Sequence, residues 1–447
     1  MKIKYQFKYF LICGLGFLCS CEKNFLDAKP NKSLLVPTTL DHYQALLDNA
    51  LNVMNLTPYL GEIGADDFFM AENTFESYSE TERNAYIWAE RIYSTPSVQD
   101  WDLPYKQIFY ANVVLDGLKG HSPQDEQVKN LRGMALFYRA WSLFQITQFF
   151  GAPYTPGGAV SVKGVPFRIS ADVTLPSEVG TLQNTYDRIQ SDLSLALQLL
   201  SIKQIVPTRP TKAAAYALMT RLHLITQNYT KAKLYADSTL ALQSELLDYN
   251  VLDPSRPYPM PPLYGKPTQN PEVIFLTILV PNIYLGSSNN TRVDTTLYNS
   301  YSKSDLRKSI FFNTSGLFRG SYMGERRYQF SGLAVDEMYL ARAECYARLG
   351  DMKNSLADLN TLLAKRWDSN SYKPILIEDS EELLFRIIEE RRKELIARGV
   401  RWSDLKRLNQ DPRFSKTLKR IVNGTEFVLN PNDPKYMLPI PDSEILQ

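Results

Sequence analysis

The chain has 447 residues, 44% of them hydrophobic and 22% charged, and its 50 Lys and Arg against 48 Asp and Glu leave a net charge of +2. That content supports a large buried core and excludes wholesale disorder, and the near-balance of charge lacks the electrostatic footprint of a nucleic-acid binder. Three histidines and four cysteines leave little material for a zinc or iron site, so no metal and no other cofactor is expected.

The first elements are a leader and a tether. Lys2, Lys4 and Lys8 precede and begin a positive start, followed by the ten-residue apolar run 9–18. Ten helical residues span about 15 Å, half of a ~30 Å hydrocarbon core, so the run reads as a secretory signal peptide over residues 1–20 and not as a membrane span. Leu18-Cys19-Ser20-Cys21 resembles the bacterial lipobox, which makes Cys21 the expected lipid-attachment residue and new N-terminus. An ordinary signal peptide with an incidental cysteine is the plainer alternative. Loss of residues 1–20 removes three lysines and no acid, leaving a mature charge of −1. With Cys21 lipidated, Cys345 is the remaining thiol, expected as a buried and inert one. Residues 21–40, with Pro30 and Pro37, suit an extended tether.

Helical periodicity then dominates residues 41–244. Apolar residues at three and four spacing predict helices over 41–51, 101–118, 127–150, 185–200, 212–226 and 230–243. Residues 61–96 are irregular and carry Asp66-Asp67-Phe68-Phe69, then Tyr78, Tyr86, Trp88 and Tyr93. Two helix pairs share a register of small residues: Thr220 with Ala232 across Asn228-Tyr229, and Ala343 with Ser355 across Gly350-Asp351. Small residues let antiparallel helices approach closely, and Gly or Asn ends the first helix of each pair. The pattern resembles tetratricopeptide hairpins, separated here by about ninety residues of different character.

Those intervening residues, 245–333, read as a long irregular insertion. Seven prolines between Pro254 and Pro271 forbid regular helix. Residues 272–280 form a short apolar, β-branched run that predicts a buried strand. Residues 287–304 are rich in Ser, Asn and Thr with tyrosines interspersed. Irregular loops on a rigid helical frame are common places for ligand contacts. The expected fold is therefore mainly α, with tetratricopeptide-like hairpins building an α-superhelical scaffold around a loop and short-strand insertion.

Residues 334–447 carry the most recognisable motifs. Glu389-Glu390-Arg391-Arg392-Lys393-Glu394-Leu395 runs into Arg398-Gly399-Val400-Arg401-Trp402-Ser403-Asp404-Leu405-Lys406-Arg407, and Met437-Leu438-Pro439-Ile440-Pro441-Asp442 follows. Together with Phe150-Gly151-Ala152-Pro153-Tyr154 and the blocks 209–224 and 335–366, these resemble the SusD/RagB family of Bacteroidetes outer-membrane lipoproteins. Pro210 and Trp367 depart from the usual family pattern. The resemblance implies a lipid-anchored protein on the cell exterior. It would act as the lid-like partner of a SusC-type TonB-dependent outer-membrane transporter, capturing oligosaccharides or, in some members, peptides. A structural or adhesive surface lipoprotein is the other reading.

Sugar capture needs aromatic faces for the apolar C–H faces of a pyranose and polar side chains for its hydroxyls. On that basis Trp88, Tyr93, Tyr284 and Tyr298 are the expected ligand-binding residues. Glu389/Lys393 and Glu394/Arg398 stand at i,i+4 spacing and predict weak ion pairs on an exposed helix. Gly399 suits a left-handed turn after that helix. Arg401, Trp402 and Asp404 read as packing in preference to a ligand cluster. Glu62, Asp66 and Asp67 are acids that a glycosidase would need in pairs, but GxSxG, HExxH and Walker motifs are absent and no catalytic residue is assigned. His223, within a hairpin, reads as packed.

Overall fold

The computed structural model describes residues 37–262 and 270–442. The leader 1–20, Cys21, the tether up to residue 36 and residues 263–269 with Pro267 lie outside the described residues.

Capping and amphipathic patterning set the helices. α1 (Leu40–Leu47), α2 (Leu60–Gly64) and α3 (Glu80–Tyr86) are short; α4 (Gln99–Gly117), α5 (Glu126–Phe150), α6 (Leu182–Leu199), α7 (Lys212–Ile225) and α8 (Tyr229–Leu242) follow as the main array. After α9 (Thr295–Ser300) and α10 (Arg307–Phe311) come α11 (Val335–Arg348), α12 (Met352–Leu363), α13 (Ser380–Glu394) and α14 (Arg401–Leu408). Asp125, Thr211, Asn228, Asp351 and Asp379 each accept a backbone N–H at the start of a long helix, and Thr181 with Asn184 forms a reciprocal box. Such a cap is worth about 1 kcal/mol. The ends of α4 to α8 fall within a few residues of the periodicity-based expectation.

α5 is buried on nearly every face and is the central post, with α4 and α6 packed along it. α7 and α8 form the first small-residue hairpin and α11 and α12 the second. The second is locked by Ser355, whose Oγ donates to the Ala343 carbonyl at 2.8 Å. α8 packs directly on α11, so hairpins ninety residues apart in sequence are neighbours in space. The insertion leaves the array after α8 and returns at α11 without interrupting the stack.

Residues 245–333 are stitched to the N-terminal part through two two-stranded sheets, β1–β4 and β2–β5, and a shared core. β1 (Leu56–Thr57) pairs in parallel with β4 (Ile278–Leu279), and β2 (Phe68–Met70) pairs antiparallel with β5 (Thr291–Val293). β3 (Val273–Phe275) pairs with β6 (Leu333–Ala334). The run 272–280 is thus two short buried strands with different partners, and not one. β7 (Leu418–Val422) and β8 (Thr425–Leu429) form a hairpin whose turn is Asn423-Gly424, both at positive φ. This is the two-residue turn that matches strand twist best.

The i,i+4 pairs expected on an exposed helix are not formed, because the inner face of α13 is buried. Lys393 pairs with Glu390 at 2.5 Å, and Glu394 accepts from Arg307 and Arg366 instead of Arg398. Arg398 bonds Asp336 at 3.2 Å. Arg307 and Arg366 are fully buried: Arg307 binds Asp305, Glu390 and Glu394, while Arg366 binds Glu272 and Glu394 and donates to the Leu247 carbonyl. Since Glu272, Asp305 and Arg307 belong to the insertion and Glu390 and Glu394 to α13, this network clamps the insertion to the C-terminal helices.

Candidate ligand-binding surface

Alternation decides what the β2–β5 ribbon shows to solvent. Along β2, Phe68 and Met70 point inward and Phe69 outward; along β5, Thr291 and Val293 point inward and Arg292 outward. The register places Phe69 opposite Arg292, so the ring and the guanidinium share the outer face. Phe69 keeps 37% of its surface exposed.

Beneath the ribbon lies an aromatic cluster. Phe68 stands edge-on to Tyr284 at 6.4 Å and to Phe318 at 6.1 Å, Tyr78 packs on Tyr284, and Phe312 joins Phe318 to Tyr298. The loop leading into β5 is pinned from below. Glu82 accepts the backbone N–H groups of Ile283 and Tyr284, both at 3.1 Å, and Ser288 Oγ donates to the Tyr78 hydroxyl at 3.0 Å. The loop therefore offers its outer groups from a stiff base.

Those outer groups are polar and basic. Arg326 donates to the Asn289 side-chain oxygen at 2.6 Å and to the Ser288 carbonyl; Arg292 donates to the Asn289 carbonyl. Burial lowers the Arg326 pKa, and the neighbouring Arg292 charge acts in the same direction while Tyr258 opposes it. Tyr258 is 38% exposed. An exposed ring, two guanidiniums and an amide thus come together, with Tyr258 near Arg326.

The four tyrosine and tryptophan expectations separate against this geometry. Trp88 and Tyr284 are buried and are not exposed stacking platforms, which corrects that expectation of them. Trp88, at positive φ, donates from Nε1 to the Gly64 carbonyl at 2.9 Å and lies under the Arg420 guanidinium. Arg420 donates to the carbonyls of Ile63 and Ala65 near the end of α2, so Trp88 belongs to a cap on that helix. Tyr284 is a floor plank of the aromatic cluster. Tyr93 is half-buried, and its hydroxyl donates to the Pro439 carbonyl at 2.7 Å. Tyr298 is half-buried beneath the Lys308 ammonium, 4.4 Å from the ring centre. Trp88 and Tyr93 sit by one cleft of about 210 Å³ between Trp402 and residues 434–439. Tyr284 and Tyr298 support the ribbon elsewhere. Phe69, Tyr258, Asn289, Arg292 and Arg326 were not singled out; the in-out alternation of 67–70 would have pointed to Phe69, while the arginines carry no local signal.

The acids considered for catalysis are engaged. Burial works against ionising Asp66, but Arg401 and Arg392 hold its carboxyl well below the usual range. Asp67 is buried against Arg392, and burial raises its pKa. Burial pushes Glu62 up to about 8, with Asp67 adding to the rise and the Gly399 N–H, a 2.7 Å donor, opposing it. Glu272, Asp336 and Glu394 lie close enough together to hold an ion. Arg366 and Arg398 supply their counter-charge, and the Tyr322 hydroxyl sits at 2.7 Å from Glu272 and 3.0 Å from Asp336. The group reads as a structural ion network. Trp402 is buried with Nε1 donating to the Tyr436 carbonyl, Arg401 is ion-paired with Asp66, and Asp404 with Arg391 and Arg407, so this trio packs as expected. Cys345 is buried, and His223 stacks on Tyr235 at 5.3 Å, its pKa lowered to about 4 by burial.

A helical array with hairpins of this kind, carrying a clamped loop unit, defines a class of binding scaffold. Two family models match the chain: one described as starch-binding and associating with the outer membrane over residues 24–224, and the SusD family over residues 335–447. The chain belongs to the SusD/RagB family, whose members are non-enzymatic binding proteins. Solved structures agree in fold. A SusD superfamily protein from Bacteroides thetaiotaomicron is 22% identical with a TM-score of 0.70, covering 91% of this chain and 97% of that one. A putative sugar binding protein from Bacteroides vulgatus is 21% identical with a TM-score of 0.73, covering 92% and 97%. A SusD superfamily protein from Bacteroides fragilis is also 21% identical with a TM-score of 0.73, covering 92% and 98%. A search of curated proteins returns no match.

Proposed function

We propose that this protein is a cell-surface lipoprotein that captures oligosaccharides and hands them to a SusC-type TonB-dependent transporter of the outer membrane. The observation that carries the reading is the β2–β5 ribbon, which exposes Phe69 beside Arg292 on a base clamped by buried ion pairs. A flat ring stacks on a sugar face at small entropic cost when its backbone is already ordered. Tyr258 and Asn289 supply a second ring and an amide, while Tyr93 and Tyr298 keep only partial exposure. Cys21 anchors the chain, and membership of the SusD/RagB family supports both the cargo and the partner.

Calorimetric titration of an oligosaccharide panel tests the cargo: heat of binding without release of reducing ends is expected, and Phe69→Ala should weaken the best ligand about tenfold. Binding of peptides but no saccharide would replace the cargo; hydrolysis would overturn the reading. Purification from native outer membranes should bring a β-barrel transporter with the protein. Cys21→Ala should release the folded chain from membranes; retention after an alkaline wash would refute the anchor.

A further inference from the structure

The arginines of the loop face lack the close carboxylates that answer many arginines of the helical scaffold. In the helical scaffold arginines meet carboxylates at close range, as in Arg139 with Asp192, Arg221 with Glu337 and Arg407 with Glu344, each within 2.7 Å. Among the described residues, Arg292, Arg326 and Arg327 have no carboxylate within 4 Å. Arg292 and Arg326 converge on the same residue, Asn289, and their charges work against each other. Arg326 Nε is buried and finds no acceptor. Arg327, next in sequence, is exposed and lies over the Tyr328 ring at 5.4 Å. Burial raises the pKa of Glu325, the acid beside them, and the Arg327 charge opposes that rise.

We propose that this face binds saccharides bearing carboxylate or sulfate groups, with Arg292 and Arg326 as the anion-reading pair, Phe69 across the ribbon from Arg292 and Tyr258 near Arg326. The inference rests on the capture reading above and narrows its cargo from sugars in general to acidic ones. Planar guanidinium donors match the paired oxygens of carboxylate and sulfate and give charge-assisted bonds stronger than those to neutral hydroxyls. An incoming anion also relieves the repulsion between the two cations. With a net charge near zero overall, this local excess is a property of the site and not of the whole surface. Phe69 and Tyr258 favour a ring-shaped ligand over an extended acidic peptide.

The test uses the mature full-length chain carrying Cys21→Ala. Oligogalacturonate, a sulfated chondroitin oligosaccharide and a neutral malto-oligosaccharide of equal length are titrated at low and high salt. At low salt at least one acidic ligand should bind at least tenfold tighter than the neutral one, and that margin should shrink as salt rises. The double variant Arg292→Gln, Arg326→Gln should lose the margin while unfolding at the same temperature, and Arg292→Lys should keep part of it. Tyr258→Ala should weaken acidic and neutral ligands by similar factors. Equal or tighter binding of neutral sugar, unchanged in the double variant, overturns the acidic assignment and leaves sugar capture standing. No binding of any saccharide overturns both. An acidic peptide that binds this face more tightly than the acidic saccharides would assign it to a protein partner and overturn the proposal.

Discussion

Arginine does opposite work in two regions of this molecule. Around α13, Arg307 and Arg366 are fully buried, and each holds two or more carboxylates drawn from distant parts of the chain. On the loop face above β5, Arg292 and Arg326 stand without any carboxylate at close range, bonded to backbone and amide oxygens. The first arrangement is tolerated in a dry interior because every charge is answered, and removing one partner would strand the others. The second is only partly buried, so its charges are not sealed in a dry interior as those around α13 are. One residue type thus clamps the loops in place and also equips them. The motif 389–395, which looks like a surface charge run, is the internal half of that arrangement.

The comparison breaks most visibly if the clamp is dispensable. Arg366→Met leaves Glu272 and Glu394 short of a counter-charge and should cost about 3–5 kcal/mol in denaturant unfolding. Hydrogen exchange should show the insertion losing protection before the helices α5 and α6. An unchanged midpoint with unchanged exchange would show that the ion network does not hold the loops.

A second probe is the buried acid under the Asp66–Asp67 segment. Glu62 has an ordinary carboxyl value of 4.5 when free and about 8 in the fold, raised chiefly by burial. Between these values the folded chain binds more protons than the unfolded one, so this group's contribution is fully present below about pH 4.5 and is lost as pH rises through 8. Glu62→Gln should therefore gain on the parent protein between pH 5 and pH 8, by on the order of 2–4 kcal/mol. Parallel stability curves for the two proteins would contradict it.

Gly399 joins the clamp region to the site's underside. It lies at φ +72°, and a Cβ there would stand 3.0 Å from Leu279 of β4. Gly399→Ala should cost about 1–2 kcal/mol through left-handed strain alone. A thermal midpoint equal to the parent's would mean that the turn rearranges freely.

The smallest effect sharpens the contrast from the other side. Arg292→Gln should change stability by no more than about 0.5 kcal/mol, as expected of a surface substitution away from the core. A large loss would show that the loop arginines are structural, like those of α13.

Much of the scaffold was legible locally. Three- and four-residue spacing located α4 to α8, small residues at matched positions identified both hairpins, and Gly399 marked its own left-handed turn. These features depend on residues within a turn or two of one another, so a linear reading captures them. The expected leader with Cys21, which lies outside the described residues, also rests on a linear motif. Tertiary structure decided which rings face out: Trp88 and Tyr284 have the composition of ligand platforms, but Arg420 covers one and Phe68 and Tyr78 enclose the other. It also decided which charges meet, since Glu394 finds Arg307 and Arg366 across 87 and 28 residues and not Arg398 four residues on. Burial and charge pairing depend on neighbours brought together by the fold, whereas helix formation depends chiefly on neighbours along the chain.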